Sequence, residues 1–308
     1  MSIIEPGITG VLMIKTQGLT KVFKIGKKQE TELLAVEDLS LEVDSGEVFG
    51  FLGPNGAGKT TTVRMLTGLI RPSSGTAQIA GFELGRQDTQ IRRSVGILTE
   101  SPGMYERLSA EKNLTIFANL YDVPDVPGAV NKYLSMLGLW ERRYDAVGSF
   151  SKGMRQKLAV ARALIHEPQI LFLDEPTTGL DPEAAKTVRD FIEELKSEGR
   201  TIFMTTHNLA EAERLCDRVA IFKQKLITLD SPANLRQEMF GRRVVFHLRE
   251  LNPLWADLVA RRPETDCVES VDNKLIVTLQ DPESTNPLII KTLVQAGAEI
   301  QFVGEIRH

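Results

Sequence analysis

Cysteine is scarce in this sequence, and its scarcity excludes two common kinds of stabilised fold. Among 308 residues there are two cysteines, Cys216 and Cys267, which lie far apart and show no metal-ligand spacing. A disulfide framework or a structural zinc site needs more cysteines, or ligands paired at short spacing. We therefore expect neither feature, and we expect the Cys216 thiol to pack in a core.

Long apolar runs are also missing. No run approaches the roughly 20 residues that a membrane-spanning helix needs. The N-terminal segment has no basic stretch and is interrupted by Glu5 and Pro6, so we expect no signal peptide. The sequence thus predicts a cytoplasmic chain, unless a partner holds it at a membrane.

The chain has no excess of positive charge. Its formal net charge is −4 and its pI is about 5.8, which argues against nucleic acid as the main partner because phosphate binding leaves a basic footprint. With 42% apolar and 25% charged residues the composition is that of an ordinary globular protein. The length suggests roughly two domains.

A phosphate-binding loop is the most specific motif present. The residues from Gly53 to Thr60 match G-x-x-x-x-G-K-[ST], after an apolar strand from Val48 to Leu52 and before an apolar-periodic helix with Val63, Leu66 and Ile70 inward. Backbone N–H groups of such a loop curl around a phosphate. In this motif Lys59 reaches the β- and γ-phosphates, and the Thr60 hydroxyl ligates Mg²⁺.

Two acids end a second buried strand. The run from Ile170 to Leu173 is continuously apolar, as in a parallel strand covered on both faces, and Asp174 and Glu175 follow it. Ligands in parallel sheets lie at the carboxyl ends of the strands. We expect Asp174 to hold the Mg²⁺ shell and Glu175 to orient or deprotonate the attacking water.

A third apolar strand, "RTIFMTTH", ends in His207. A lone histidine is more often structural than functional. At the carboxyl end of a third buried strand, however, His207 is predicted to contact the γ-phosphate.

A helix start at Ser151 lacks the acidic residues that usually complement its partial positive charge. Ser151 is a good N-cap for the apolar-periodic run that follows, and the first turn carries Lys152, Gly153 and Arg155 instead of Asp or Glu. The segment "SKGMRQ" therefore predicts a helix N-terminus that binds an anion.

These motifs in this order resemble the nucleotide-binding domain of ATP-binding cassette (ABC) transporters, over about residues 13 to 235. The family's Walker A loop, which contacts ATP, is matched by Gly53, Pro54, Asn55, Gly56, Ala57, Gly58, Lys59, Thr60 and Thr61. The Walker B strand with its catalytic glutamate matches 170–175, and the switch histidine matches His207. The resemblance implies that Lys59, Glu175 and His207 are catalytic.

The same resemblance implies an answer for "SKGMRQ", which stands where the family's signature motif, usually LSGGQ, belongs. In the family this helix points at the γ-phosphate of ATP on the other protomer. ATP contacts in trans are therefore implied for Ser151, Lys152, Gly153 and the D-loop residue Asp181. Lys152 departs from the usual glycine and Met154 from the usual Gln or Glu.

Two further matches are weaker. Phe23 occupies the place of the aromatic residue that stacks on adenine, and it could equally belong to a core. Glu100 falls where the family has the Q-loop glutamine; a carboxylate there can ligate Mg²⁺ but cannot donate a hydrogen bond when ionised. With Thr60 and Asp174, Glu100 completes the predicted metal contacts.

The organisation along the chain indicates an α/β P-loop NTPase of the ABC type, followed by a small α+β domain. Residues 1–238 form the predicted nucleotide-binding domain, with a helical subdomain at about 104–150 in which Pro124 and Pro127 separate two helices. Residues 239–308 read β-α-β-β-α-β, the ferredoxin-like order, with a strand at 274–279 and a second helix that begins at Asn286 and is closed by Gly297. That domain is a regulatory or dimerisation module, or else a plain folded appendage.

The resemblance implies the ATPase subunit of an ABC transporter of the export branch, which includes drug, antibiotic and polysaccharide exporters. Two copies, or one copy and a related subunit, would close around two Mg-ATP molecules and drive a separate permease from the inner face of the membrane. The alternatives are a non-transport ABC ATPase acting on ribosomes or nucleic acid, and a nucleotide-binding regulatory module. The acidic pI and the single cassette disfavour the first, and Glu175 disfavours the second.

Overall fold

The computed structural model describes residues 11–25, 31–99, 103–240 and 242–306, which divide into two compact units between Ser231 and Pro232. The predicted boundary after position 238 would cut the helix Pro232–Phe240, which belongs as a whole to the second unit. Each unit is described by itself below.

The first unit contains both strands and helices. Its strands are β1 (Leu12–Ile25), β2 (Thr31–Asp44), β3 (Val48–Leu52), β4 (Ser74–Ile79), β5 (Phe82–Glu83), β6 (Val95–Leu98), β7 (Ile170–Asp174), β8 (Thr201–Thr206), β9 (Arg218–Lys223) and β10 (Lys225–Asp230). Its helices are α1 (Lys59–Leu66), α2 (Asp88–Ser94), α3 (Ala110–Leu120), α4 (Val126–Met136), α5 (Lys152–Leu164), α6 (Pro182–Ser197) and α7 (Leu209–Leu215).

A mainly parallel sheet carries the predicted motifs. Its strand order is β10-β9-β3-β8-β7-β6, in which neighbouring strands are parallel except for the β10–β9 pair. Every residue of β3, β7 and β8 is buried. Burial on both faces explains why these strands have unbroken apolar runs instead of alternating patterns.

An antiparallel sheet of order β2-β1-β4-β5 packs on the same core. Ile14 of β1 and Val36 of β2 are fully buried in one cluster with Phe51 of β3 and Phe222 of β9. The two sheets of the first unit therefore share one hydrophobic core.

Phenylalanine rings fix the strands that lead to the site. The Phe203 ring of β8 lies 5.5 Å from that of Phe49 and 5.4 Å from those of Phe51 and Phe172, measured between centroids. Each such pair stabilises by about 0.5–1.5 kcal/mol beyond area burial. Strands β3, β7 and β8 thus form one rigid block.

Several helix boundaries differ from the prediction. Helix α1 ends at Leu66 and does not reach Ile70, because Gly68 turns the chain with a φ of 66°. Pro124 lies between α3 and α4 as predicted, but Pro127 lies in the first turn of α4, where proline is tolerated because its N–H would be unpaired anyway.

The second unit has the predicted element order, preceded by one helix. It contains α8 (Pro232–Phe240), β11 (Arg242–Leu248), α9 (Pro253–Ala260), β12 (Thr265–Val271), β13 (Lys274–Leu279), α10 (Pro282–Gln295) and β14 (Ile300–Glu305). Its sheet has the order β12-β13-β11-β14 with antiparallel neighbours. Helix α10 begins four residues before the predicted start at Asn286, because Asp281 caps it by accepting from the Ser284 N–H.

The two cysteines differ in accessibility, and Cys216 is buried as predicted. Cys216 follows α7 and is 7% exposed, and burial raises the pKa of its thiol to about 12. Cys267, on β12, is exposed. Within the described part of the chain, no helix combines the length and apolar character needed to cross a membrane.

Candidate functional site

The predicted motifs leave the parallel sheet at one edge. Leu52 at the end of β3 lies opposite Thr206 of β8, and Asp174 at the end of β7 lies opposite Thr205. The residues that follow these strands are the phosphate loop, the second carboxylate and the histidine. The register of the sheet therefore brings the three predicted motifs together.

The end of β8 fastens the other two strands at this edge. Thr206 accepts a backbone hydrogen bond from Gly53 at 3.2 Å. Thr205 accepts from the Glu175 N–H through both its carbonyl oxygen, at 3.2 Å, and its Oγ1, at 3.1 Å, and its hydroxyl donates to Asp174 Oδ1 at 2.6 Å. Sequence reasoning treated these threonines as strand residues; hydroxyls at the end of an apolar strand were the only signal.

Two glycines of the phosphate loop are required by close backbone approach. A Cβ at Gly53 would lie 2.1 Å from the carbonyl oxygen of Phe222, and one at Gly58 would lie 2.2 Å from that of Ala35. Gly58 also has a φ of 103°, in the left-handed region that favours glycine. The loop is thus pressed against neighbouring strands.

Helix α1 begins at this loop without a side-chain cap. Gly58 is its N-cap and offers no side chain, and the first turn contains no acid. Free N–H groups and the helix dipole at such an end suit a phosphate.

Lys59 is buried and folds back on its own loop. Its Nζ donates to the Gly53 carbonyl at 2.7 Å and to the Pro54 carbonyl at 3.2 Å, and it lies 3.0 Å from Glu175 Oε1. The side chain is 6% exposed. The ammonium group therefore lies between the phosphate loop and the strand end of β7.

Glu175 is the meeting point of the site. Its Oε2 accepts from the Thr178 hydroxyl at 2.8 Å and pairs with His207 Nδ1 at 2.7 Å, while its Oε1 makes the ion pair with Lys59. Its φ is 52°, a conformation that costs free energy in a residue other than glycine. Strain of this kind is concentrated at functional positions.

The contacts of Glu175 keep it ionised. Burial disfavours the carboxylate, but the contacts from Thr178, Lys59 and His207 outweigh it and lower the pKa of Glu175. A carboxylate that stays charged can accept a proton or a hydrogen bond from water.

One cavity of about 390 Å³ contains most of the predicted ATP contacts, a volume in the range of small-molecule sites. The predicted residues that line it are Phe23, Asn55, Gly56, Ala57, Gly58, Lys59, Thr60, Thr61, Glu175 and His207. Residues that the sequence did not indicate also line it, namely Leu33, Leu34, Ala35, Thr178 and Gln224.

The Phe23 side chain lies at the surface of this cavity. It is partly exposed, stands opposite Leu33 across the β1–β2 pair, and has Lys21 Nζ 5.0 Å from its ring centroid. Between the two alternatives, this position favours a ligand contact over a core residue; stacking on adenine stays a prediction.

The predicted metal ligands supply oxygen. Thr60 lines the cavity, and Asp174 is 2% exposed at the end of β7. Among residues 11–25, 31–99, 103–240 and 242–306, no group of three or more His, Cys, Asp or Glu forms a metal cluster. One hydroxyl and one carboxylate fit Mg²⁺, which takes few protein ligands beside substrate phosphates. Glu100 lies outside the described residues.

Ser151 is the N-cap of α5, as predicted, and its Oγ accepts from the Met154 N–H at 3.2 Å. The first turn of α5 contains no acid, so this helix start also keeps its positive end. Lys152, the residue that departs from the family pattern, has its Nζ 3.4 Å from the Thr178 carbonyl oxygen. The signature segment is therefore linked to the residue that donates to Glu175.

Gly153 has a packing role in its own chain that sequence reasoning missed. A Cβ at Gly153 would lie 2.7 Å from the Cβ of Ala184, so glycine lets α5 approach α6. Asp181 is the N-cap of α6 and accepts from the Ala184 N–H at 3.0 Å. In the described structure, neither these two residues nor Ser151 and Lys152 line the cavity of Lys59.

Known proteins are similar to this chain in sequence and in fold. A model of the ABC transporter family matches residues 36–178. The fluoroquinolones export ATP-binding protein of Mycobacterium tuberculosis is 41% identical over 236 residues, which are 76% of this chain and 76% of that protein. The bacitracin transport ATP-binding protein BcrA of Bacillus licheniformis is 39% identical over 241 residues, 78% of this chain and 76% of that protein.

The fold agrees with these sequences. A dimeric structure of a bacterial ABC transporter cassette superimposes with a TM-score of 0.66 at 25% identity, over 71% of this chain and 99% of that one. Because relatives near 40% identity span more than three quarters of the chain, it belongs to the ABC transporter family, as an ATP-binding subunit with ATPase activity.

Proposed function

We propose that this chain hydrolyses ATP to drive a separate membrane subunit in export. Its relatives are named for the export of fluoroquinolones and the transport of bacitracin, and these names support transport across a membrane. They give no support to action on ribosomes or nucleic acid.

The observation that carries the proposal is the position of Glu175. It lines the same cavity as the phosphate loop, and its two oxygens have different partners: Thr178 and His207 at Oε2, and Lys59 at Oε1. A buried carboxylate held in this way beside a phosphate loop suits hydrolysis better than nucleotide binding alone.

ATP binding would change the partner of Lys59. The triphosphate lies against the N-terminus of α1 with the adenine toward Phe23, and Lys59 exchanges the loop carbonyls and Glu175 for the β- and γ-phosphates. Oε1 of Glu175 then becomes available to the attacking water, while Oε2 keeps its two donors. His207 contacts the γ-phosphate, and the remaining catalysis is positioning and charge neutralisation.

Thr60 and Asp174 would hold Mg²⁺. When bound, the ion neutralises charge that develops on the phosphates. Asp174 accepts from Thr205 at Oδ1, which orients the carboxylate and leaves Oδ2 for the ion. A contact from Glu100 remains part of the proposal.

Two copies would complete each ATP site. The positive start of α5, with Ser151, Lys152, Gly153 and Asp181 around it, does not line the cavity of its own chain, and it suits the γ-phosphate of ATP on a second protomer. The dimeric cassette that shares this fold supports the arrangement. The partner is a second copy or a related subunit.

The helical segment of α3 and α4 would receive the permease at the inner face of the membrane. Ile116 and Leu120 of α3, and Tyr105 ahead of it, have exposed side chains with large apolar surfaces that offer contacts to a partner. Closure of the ATPase dimer would move the permease, and hydrolysis would release it.

We further propose that the second unit is a ferredoxin-like domain with a regulatory or dimerisation role. The element order β11-α9-β12-β13-α10-β14, combined with the antiparallel sheet order β12-β13-β11-β14, supports the assignment.

Co-purification followed by reconstitution tests the function. The full chain is purified from membranes with the polypeptide that accompanies it, and the pair is placed in vesicles. We expect ATP hydrolysis that rises in the presence of the membrane polypeptide and is lost with Glu175→Gln. Stimulation by ribosomes or nucleic acid, without response to the membrane polypeptide, would contradict the proposal.

A further inference from the structure

Glu211 is a buried carboxylate that the mechanism above does not use. It lies in the first turn of α7 and is 7% exposed. Its Oε1 accepts a short hydrogen bond from the Thr177 hydroxyl, and its Oε2 accepts one from the Thr206 hydroxyl at 3.2 Å. Arg189 of α6 lies 3.7 Å from Oε1. Both oxygens are thus engaged.

The partners of Glu211 adjoin the donors of Glu175. Thr177 immediately precedes Thr178, and Thr206 immediately precedes His207. Thr178 and His207 are the two groups that contact Glu175 Oε2. The Glu211 carboxylate therefore links the loop after β7 to the end of β8, and these are the two segments that carry the donors of the proposed base.

The ion pair with Arg189 of α6 is the longest contact of Glu211, and it does not join the loop after β7 to the end of β8. The distance to Arg189 exceeds that of a hydrogen bond, whereas both hydroxyls donate directly. Burying a carboxylate is costly unless its oxygens are hydrogen-bonded. The threonines supply those bonds, and they also make the separation of the two chain segments depend on Glu211.

We propose that Glu211 is a positioning residue for ATP hydrolysis. It holds Thr177 and Thr206 at one separation, and so it keeps Thr178 and His207 together on Oε2 of Glu175. This inference rests on the proposed roles of Glu175 and His207.

The test replaces Glu211 by glutamine in the full chain. Glutamine has the same shape and no charge, but its NH2 group donates and cannot accept. One of the two hydroxyls therefore loses its acceptor, and the two segments lose their fixed separation. We expect kcat to fall on the order of tenfold or more, since small misplacements of catalytic groups have large effects. The Kd for a fluorescent ATP analogue should stay within about twofold, because Glu211 does not line the cavity.

Glu47 provides a matched control. It is 8% exposed and paired with Arg218 at 2.7 Å, but it precedes β3 at the opposite edge of the sheet. Glu47→Gln should lower Tm without changing kcat. If Glu211→Gln lowers Tm by a similar amount and leaves kcat at the wild-type value, Glu211 is only structural and the proposal is wrong.

Two further variants keep the test valid if Glu211→Gln fails to fold. Thr177→Val and Thr206→Val each remove one hydroxyl while keeping the shape of the side chain. Each should lower kcat with an unchanged Kd. In a double-mutant cycle, Thr177→Val combined with Glu211→Gln should lose less than the two single losses combined, since both act through one contact. Full additivity would overturn the proposal.

Glu175→Gln is measured in parallel. If that variant still hydrolyses ATP at the wild-type rate, the proposed role of Glu175 has failed. If it is inactive while Glu211→Gln and both valine variants keep the wild-type kcat, the failure lies with Glu211 alone.

Discussion

At the scale of single residues, the site depends on how one carboxylate divides its contacts. Glu175 gives Oε1 to Lys59 and Oε2 to Thr178 and His207. A ligand that draws Lys59 away changes the environment of Oε1 without disturbing Oε2. Binding and catalysis can therefore be separated by substitution.

Glu175→Gln should abolish steady-state hydrolysis and retain ATP binding. The amide cannot act as a base, and loss of a general base costs typically 10²–10⁴-fold in rate. The phosphate loop is untouched, so Kd should change little and an ATP-bound dimer should accumulate in sedimentation. A variant that hydrolyses at nearly the wild-type rate would place the base elsewhere.

The signature helix should act in trans. Gly153 cannot be used to test this, because any side chain there collides with Ala184 of the same chain. Lys152→Glu instead places a like charge near the partner's phosphate. It should block ATP-driven dimer formation while labelled ATP still binds the monomer; Lys152→Gln, which adds no negative charge, is the milder control.

Mixing Lys152→Glu with Lys59→Ala gives a sharper measurement. In the mixed dimer one site carries both lesions, but the other combines an intact phosphate loop with an intact signature. In a Glu175→Gln background, ATP-dependent association should be stronger in the mixture than in either variant alone. Equal association in all three samples, with weak ATP binding by Lys152→Glu alone, would indicate that this helix serves its own nucleotide.

The sequence predicted the site residues that belong to a motif. It missed the residues whose hydrogen bonds position the motif residues. Ser151 as an N-cap and the strand-end acids were predictable because periodicity and spacing indicate them. Thr205 and Glu211 were not, since their roles arise from contacts between segments about 30 residues apart. A threonine in a strand or a glutamate on a helix has no local signature for such a contact.

At the scale of elements, a cluster around Glu167 ties the helical segment to the sheet. Glu167 follows α5 and accepts from Lys132 and Tyr133 of α4 at 2.5 Å each, as well as from Arg200, which precedes β8. Burial opposes its ionisation, but these donors lower the pKa of Glu167 to about 2. The ionised carboxylate of Glu167 thus connects α4 to the residue that precedes β8.

This cluster predicts a dependence of stability on pH. The folded-state pKa of Glu167 is depressed below its ordinary value of 4.5, so its contribution is present above that pH and is lost as pH falls from about 4.5 to about 2. Thermal unfolding followed over this range should show a steeper loss for the wild type than for Glu167→Gln. Parallel curves would mean that other carboxylates cause the loss of stability at low pH.

Element boundaries were less predictable than element types. Strands β3 and β13 match their predicted ranges because apolar patterns bounded them. Helix α10 starts earlier than predicted, since Asp281 caps it ahead of the apolar run that begins after Asn286. A single side-chain cap decides such an end, and apolar periodicity alone does not reveal it.

At the scale of the whole molecule, the chain consists of two units with separate cores. The second unit has its own buried cluster, which includes Val244, Phe246, Val277 and Leu293. The motifs of the ATP site all precede the boundary at Ser231. The chain can therefore be divided without cutting through either core.

A chain that ends at Ser231 should fold and bind ATP. Ending it near position 237 would instead leave part of α8 without the rest of its helix. We expect one cooperative unfolding transition and a Kd for a fluorescent ATP analogue within about threefold of the full chain. Loss of cooperative unfolding, or of binding, would show that the two units depend on each other for folding.

Because only one of the two thiols is accessible, the chain can be labelled with a probe at a single site. A maleimide or a nitroxide reagent reacts with thiolates at neutral pH, and Cys216 is buried with a pKa raised to about 12, whereas Cys267 is exposed. The reagent should thus modify Cys267 alone, without any engineered substitution. In a homodimer, one label on each copy would report the distance between the two second units by electron spin resonance, before and after ATP is added.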